Sequence, residues 1–297
     1  MVRLCVQLSG GLGNQMFQYA AARSLALHCE VECLLDPFSG FIRDKQYKRR
    51  FELGRLPIKR NMVGIGDQIR LWVYRAHTKV SRLTRQLYDA HWYGDFINET
   101  AFKFHASVLQ QKLTGHTWML GYWQSPRYFD LYAQQIQQEL QPPKPRNISF
   151  TSLAARIDSS ESVALGVRLY EESNSPGAHA LAGKVKTIDD INSAIARLRT
   201  TRPQTRFYVF CTHRAEALHK LNLPADTVFV TADEGYDDAV DSLWLLTRCK
   251  HHIFTNSSYY WWGAWLSQGA HKKEEQLIYA ADNFINVDGL CDHWLRF

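Results

Sequence analysis

The sequence predicts an α/β protein of two domains, each built on a parallel sheet. Three observations predict it. The chain opens as strand, glycine turn, helix and strand. A proline-rich break lies near its midpoint. Beyond that break the alternation of short apolar strands with helices resumes. A chain of 297 residues, 45% hydrophobic and 22% charged, can fill two ordinary cores and is not disordered.

Val2 to Leu8 alternates apolar residues with Arg3 and Gln7 and reads as a strand. Gly10, Gly11 and Gly13 make a tight turn, and Met16 to Cys29 reads as a helix with Phe17, Ala20, Ala21, Leu25 and Leu27 on its apolar face. Val31 to Leu35 is a second strand, ending at Asp36-Pro37. Phe38 to Leu56 is basic and irregular. Gly66 to Leu87 reads as a helix, with Ile69, Trp72, Val73, Ala76, Val80, Leu83 and Leu87 on one side. Arg70, Arg75, Lys79, Arg82 and Arg85 line much of the remainder, as a solvated face or, alternatively, an acceptor or membrane surface. Thr117 to Trp123 is a short strand and Ser125 to Leu140 a helix.

Gln141-Pro142-Pro143-Lys144-Pro145-Arg146-Asn147 can propagate neither element and reads as a linker. It sets the expected domains at residues 1–146 and 147–297. In the second half, strands are expected at Ser162–Val167, Phe207–Cys211, Thr227–Val230 and His252–Thr255. Helices are expected at Thr187–Thr200, Arg214–Leu221, Ala239–Arg248 and Ser258–Gln268, the first capped by Thr187 with Asp189 and Asp190 in its opening turn.

The formal charge of +6 fits an anionic ligand such as a nucleotide diphosphate. The basic residues are dispersed and no RNA-recognition signature appears, which argues against a nucleic-acid partner. The aromatic share of 13%, with nine Trp, suits sugar rings and bases, although most of these rings are expected to fill cores. Six scattered cysteines without a CxxC read as small buried thiols, fitting a reducing cytoplasm. Met1 to Ser9 is short and polar for a signal peptide, and no run approaches the ~20 apolar residues of a spanning helix. A soluble cytoplasmic protein, or a catalytic fragment cut from an anchor, is the expectation.

Three segments carry chemistry. Ser9-Gly10-Gly11-Leu12-Gly13-Asn14-Gln15 exposes backbone N–H groups at a helix start, where anions bind. A dinucleotide fold would want GxGxxG, and Met16 stands where the third glycine would be. A tight turn without a ligand fits this segment as well. Gly166-Val167-Arg168-Leu169-Tyr170-Glu171-Glu172 puts an Arg just off the carboxyl end of a buried strand, where α/β sheets bind ligands and a guanidinium can clamp a phosphate. A solvated Arg–Glu turn is the plainer alternative. Asn256, Ser257 and Ser258 then cap an aromatic helix, again an anion site, while Trp261, Trp262 and Trp265 are adequately explained as core.

Together these segments resemble a known family. Gly10-Gly11-Leu12-Gly13-Asn14-Gln15-Met16-Phe17-Gln18-Tyr19-Ala20 resembles the N-terminal signature of the bacterial alpha-1,2-fucosyltransferases, glycosyltransferase family eleven. Gly121-Tyr122-Trp123-Gln124-Ser125 through Tyr128-Phe129 is similar to a second family segment. Asp241-Ser242-Leu243 through Cys249-Lys250-His251 leads to Asn256-Ser257-Ser258 and Trp261-Trp262-Gly263-Ala264-Trp265-Leu266, which resembles the NSS…WW.AWL block. The resemblance runs over nearly the whole chain in order. The family's HxRRGDY keeps only its first Arg, as Arg168. Gly166 and Leu169 replace the His and the second Arg, and the Asp is displaced by Glu171. Phe210-Cys211-Thr212-His213 stands for FSDD, so carboxylates expected near the nucleotide are absent.

The resemblance implies a GT-B fold, two Rossmann-like domains facing across a cleft. The first domain would hold the acceptor and the second GDP-fucose. It implies an inverting transfer of fucose from GDP-fucose to the 2-hydroxyl of a terminal galactose in an oligosaccharide. Arg168, aided by the helix start at Asn256, Ser257 and Ser258, would meet the charge growing on the β-phosphate. Similarity to protein O-fucosyltransferases implies that Asn14 reaches the reacting centre, with Gly11 and Gly13 near the donor. Glu171 and Glu172, next to Arg168, and Asp36, Asp95 and Glu99 in the acceptor half are all candidate bases, with Glu171 counted among the catalytic residues. A leaving group as good as GDP does not require a strong base. No DxD pair stands out, and the family implies neither metal nor cofactor beyond the donor. The rivals are a transferase using another GDP-sugar and, further off, a dinucleotide-binding oxidoreductase.

Overall fold

The computed structural model describes residues 2–42, 44–84, 94–170, 179, 182–272, 274–284, 286 and 288–297. The chain divides into two compact units, Met1–Gly54 with Ile58–Ile136, and Arg55–Pro57 with Gln137–Phe297. Within the second unit, the Arg55 guanidinium pairs with Asp238 and Asp241.

The first unit holds a four-stranded parallel sheet in the order β2-β1-β4-β3. Its strands are β1 (Arg3–Gln7), β2 (Glu32–Asp36), β3 (Asp95–Asn98) and β4 (His116–Leu120). Helix α1 (Leu12–His28) follows β1 and is buried on nearly every side, from Leu12 through Ala26. It begins four residues before the expected Met16, because Gly11 takes the extended N-cap conformation and Gly13 and Asn14 already lie in its first turn. Strand β4 stops at Leu120, short of the expected Trp123, because Gly121 (φ 153°) and Trp123 (φ 57°) leave extended geometry.

Helix α2 (Ile65–Thr84) meets the sheet by a face other than the one its apolar pattern marks, while Arg70 and Lys79 are exposed as expected. Leu71 and Asp67 are buried, and Tyr74 stacks on Phe96 of β3 with ring centroids 3.4 Å apart. Ile69, Trp72, Val80 and Leu83, on the apolar side, are exposed.

The expected helix over Ser125–Leu140 is a correction. Pro126–Tyr128 and Asp130–Tyr132 form 3₁₀ turns, and only Ala133–Leu140 is α-helical (α3). Phe129 between the turns has φ −134°, and Tyr128 is held edge-on against Trp123, so the segment follows aromatic packing rather than helix propensity.

The second unit holds a six-stranded parallel sheet in the order β10-β9-β8-β5-β6-β7. The strands are β5 (Glu161–Gly166), β6 (Thr205–Phe210), β7 (Val228–Val230), β8 (His251–Phe254), β9 (Ile278–Ala280) and β10 (Leu295–Arg296). The helices are α4 (Ile148–Asp158), α5 (Ile188–Thr201), α6 (Ala239–Arg248) and α7 (Ser258–Ser267). Val163, Leu165, Phe207, Val209 and Ile253 meet Ile191, Ile195 and Leu198 of α5 in one core cluster. Such strands, apolar on both faces, belong to parallel sheets covered on both sides. Helix α5 starts with a full capping box between Thr187 and Asp190. Helix α4 was not expected. Asn147, read as the end of a linker, caps it by accepting from the Ser149 amide at 2.9 Å. The expected helix Arg214–Leu221 is a 3₁₀ segment, Glu216–Lys220.

Two histidines lie at the foot of β8. His251 Nδ1 accepts from the Leu277 amide (3.0 Å), leaving Nε2 to donate to Glu161 Oε1 (2.8 Å). His252 is fully buried, with Nε2 3.2 Å from the Cys249 carbonyl, and burial pushes its pKa down to about 3 from 6.5. The folded protein therefore keeps His252 neutral where the unfolded chain takes a proton. Stability from this source is present above pH 6.5 and lost as pH falls toward about 3. In a pH series of thermal melts, the wild-type Tm should fall more steeply across that window than the Tm of His252→Phe. Equal slopes would count against the assignment.

Gly166, the last residue of β5, lies under the ring of Tyr260 in α7. A Cβ there would sit 2.4 Å from the Tyr260 Cγ. Gly166→Ala should therefore lower stability by ~1–3 kcal/mol, the usual overpacking penalty. A second substitution, Tyr260→Ala, should recover part of that loss in denaturant titrations if the clash is its cause.

Candidate functional site

Ligands of open α/β sheets bind outside the carboxyl ends of the strands, where the strand order reverses. Each unit has one such point: between β1 and β4 in the first, and between β5 and β8 in the second.

In the first unit, amide side chains tie the loops at that point. Gln18 accepts from the Ser9 amide (2.8 Å) and donates to Ser9 Oγ (2.9 Å) and the Gly121 carbonyl (3.1 Å). Gln15 donates to the carbonyls of Gly10 (2.9 Å) and Arg50 (2.8 Å) and accepts from the Glu52 amide (2.9 Å). The basic segment after β2 is thereby drawn to the glycine turn, and the Arg49 guanidinium comes to rest against Gly11.

Half-buried Asn14 accepts through Oδ1 from Gln124 Nε2 at 2.8 Å. That bond orients the Asn14 amide, with its NH₂ group turned over Gly10. The structure thus brings Gly11, Gly13 and Asn14 together with Gln124 of the second sequence motif.

The candidate carboxylates of this unit have other partners. Asp36 is fully buried and accepts from the Phe38 and Ser39 amides (3.1 Å each) and from the Ser39 hydroxyl. Glu99 accepts from the Tyr122 amide (2.7 Å) and the Trp123 amide (3.1 Å), and burial raises its pKa against the pull of those two amides. It braces Trp123 in the left-handed region, a strained conformation of the kind concentrated at functional sites. Asp95 accepts from Thr114 Oγ1 at 3.0 Å.

In the second unit, Thr255 joins the two central strands. Its amide donates to the Gly166 carbonyl (3.0 Å), and its hydroxyl accepts from the Arg168 amide (2.8 Å). Tyr260 OH lies 3.3 Å from the Val167 carbonyl. Arg168 therefore leaves β5 beside the residue that leads into Asn256, Ser257 and Ser258. Ser257 is the N-cap residue of α7, but its side chain makes no capping hydrogen bond, contrary to the capping role expected of it. The ten-residue helix begins at Ser258, three residues after Thr255 and so beside the end of β8, and a helix N-terminus at a switch point is an anion-binding position.

The Arg168 guanidinium lies 4.6 Å from the centroid of the Tyr170 ring, which in turn stacks on His179 at 4.1 Å. Tyr170 has φ 60°. The Tyr170 ring thus gives the Arg168 cation an aromatic support. Glu171 and Glu172 lie outside the described residues. At the end of β6, where the motif carboxylates are missing, Asp233 approaches from the loop after β7. Its carboxylate accepts from the Arg214 amide and lies 3.2 Å from His213 Nδ1. Sequence reasoning passed over Gln18, Gln124, Thr255, Tyr260 and Asp233. The first four sit within or beside the recognised motifs, and Asp233 carries no local signal. Among the described residues no cluster of His, Cys, Asp and Glu is arranged to hold a metal ion.

The family model of Glycosyl transferase family 11 matches residues 66–286. An alpha-1,2-colitosyltransferase of Escherichia coli is 27% identical over 275 residues, covering 88% of this chain and 86% of its own length. The O-antigen biosynthesis glycosyltransferase WbnK of Escherichia coli is 24% identical over 274 residues, covering 88% and 89%. Among solved structures, a mutant of Arabidopsis thaliana FUT1 in complex with GDP matches with TM-score 0.52 and 13% identity, over 93% of this chain and 70% of that one. Fucosyltransferase NodZ from Bradyrhizobium matches with TM-score 0.50 and 14% identity, over 89% and 91%. These structural likenesses establish the GT-B fold. With its two switch-point loops and a family match spanning most of its length, the chain belongs to Glycosyl transferase family 11 and is a glycosyltransferase.

Proposed function

We propose that the protein is an inverting fucosyltransferase that moves fucose from GDP-fucose to the 2-hydroxyl of a terminal galactose in a glycan. The observation that carries this reading is the β5–β8 switch point, where Arg168 and the start of α7 converge beside Thr255. A guanidinium and the amides of a helix start are the donors a diphosphate leaving group needs. Support for the donor comes from the structural neighbours, FUT1 in complex with GDP and fucosyltransferase NodZ, and support for a 1,2 linkage comes from the alpha-1,2-colitosyltransferase of Escherichia coli.

In this mechanism the second unit, residues 147–297 in the main, holds the donor. As the glycosidic bond breaks, Arg168 and the α7 amides take up the charge on the β-phosphate, in step with oxocarbenium character on the sugar. The first unit, within residues 1–146, holds the acceptor. Asn14, oriented by Gln124, donates a hydrogen bond at the reacting centre, and Gly11 and Gly13 leave the turn low enough for a sugar to approach. Glu171 serves as base to the acceptor hydroxyl. Asp36 and Glu99 are poor bases, since backbone amides already occupy their oxygens. The reaction runs without a metal, and the setting is cytoplasmic. Among the described residues no helix is long and apolar enough to cross a membrane.

A second reading, a transferase using another GDP-sugar, has its own observation: one relative is a colitosyltransferase, which favours a donor sugar other than fucose. Incubation with GDP-fucose and a panel of galactosides, with linkage and anomeric configuration read by NMR, tests the proposal. A product on the galactose 2-oxygen supports it. Turnover only with a colitosyl donor selects the second reading, and no turnover with any GDP-sugar overturns both.

Two substitutions test the assigned roles. Arg168→Ala should reduce kcat by ~10²–10³, the effect of losing one preorganised donor, while Tm stays near wild type. Near-normal turnover would remove Arg168 from the mechanism. Gln124→Leu deletes one neutral hydrogen bond to Asn14 and should lower kcat by ~2–10-fold with little change in KM for the donor. An unchanged kcat would show that the orientation of Asn14 does not matter.

A further inference from the structure

Helix α2 carries an exposed apolar stripe. Ile65, Ile69, Trp72, Ala76, Val80 and Leu83 recur at helical spacing on one face, and all are exposed, the large ones from 41% at Trp72 to 79% at Ile65. Scattered apolar residues on a surface are ordinary, but an aligned row of this kind marks an interface. A different side packs on the sheet, through Asp67, Leu71 and Tyr74.

The flanks of the stripe are cationic. Lys79 and Arg75 lie along one edge, with the Arg75 guanidinium 5.8 Å from the Trp72 ring centroid, and Arg70 lies toward the other. The acidic residue of the helix, Asp67, is buried with an oxygen 3.2 Å from His116 Nδ1, so α2 presents no carboxylate of its own to solvent. An apolar row with an indole, edged by cations and free of exposed anions, has the composition of a helix lying in the plane of a charged bilayer surface. A second copy of the same helix would bring like charges together along those edges. We propose that α2 docks this protein on an anionic lipid bilayer, with the stripe in the headgroup region and Arg70, Arg75 and Lys79 facing lipid phosphates.

At 20 residues with charges along its length, α2 lies on the surface and does not span it. The docking is independent of donor and acceptor identity.

The test is co-sedimentation of the full chain with phosphatidylcholine vesicles, with and without phosphatidylglycerol. The protein should pellet with the anionic vesicles and stay in solution with the neutral ones. Lys79→Gln should weaken the association about fivefold, the contribution of one surface cation. Ile69→Ser combined with Leu83→Ser should abolish it with far-UV circular dichroism and Tm unchanged, since both side chains are exposed. Equal partition to both vesicle types, or none to either, overturns the proposal. So does a light-scattering result in which the double substitution converts a dimer to a monomer without any vesicle binding, which would assign the stripe to a second copy.

Discussion

The hydrogen bonds at Thr255 are the constraint on which the second unit depends. Parallel strands present their chemistry only where their carboxyl ends stop, and two strands that stop independently present nothing fixed. Here one threonine receives the Arg168 amide and donates to the Gly166 carbonyl, so β5 and β8 end together. The Tyr260 ring fits over Gly166 only because that residue has no side chain. A single small residue thus admits the aromatic helix to the sheet. The helix seated there begins at Ser258, three residues after the Thr255 that holds the Arg168 amide.

The first unit reaches a comparable end by different means. Its loops are joined by side-chain amides, which can donate and accept at once and so bridge segments far apart in sequence. Gln15 links α1 to the loop at Arg50 and Glu52, Gln18 links it to Gly121, and Gln124 returns from the β4 loop to Asn14. Glu99 holds Trp123 in a left-handed conformation that an isolated loop would abandon. The two carboxylates nearest these loops are therefore structural.

This division of labour bears on the chemistry. Family membership makes the protein a glycosyltransferase, and a glycosyl transfer needs charge stabilised at a leaving group and a hydroxyl presented in line. Under the proposed mechanism Arg168 and the start of α7 would supply the first. Oriented neutral amides suit the second. Helix α2 stands apart from these bonds, and it meets the sheet through Asp67, Leu71 and Tyr74 while its apolar stripe faces out.

The α/β class, the parallel alternation, the glycine turn and the positions of Arg168 and Asn256–Ser258 were all legible in the sequence, because they rest on local periodicity, on backbone freedom at glycine and on short motifs. What local pattern could not decide depended on partners distant in the chain. Helix periodicity gave the apolar side of α2 but not the direction it faces, which was settled by Leu71 and Tyr74 meeting the sheet. Helix propensity favoured Ser125–Leu140 as one helix, and aromatic packing of Tyr128 on Trp123 broke it into turns. Strands β3, β9 and β10 are short, with too few residues to show a period, and exist because a neighbouring edge hydrogen-bonds them. The roles of Thr255, Tyr260 and Gln124 arise from contacts across tens of residues. The sequence by itself determined which groups end the strands, and the tertiary structure alone decided which of them meet, since only the closed sheet brings those ends within hydrogen-bonding distance.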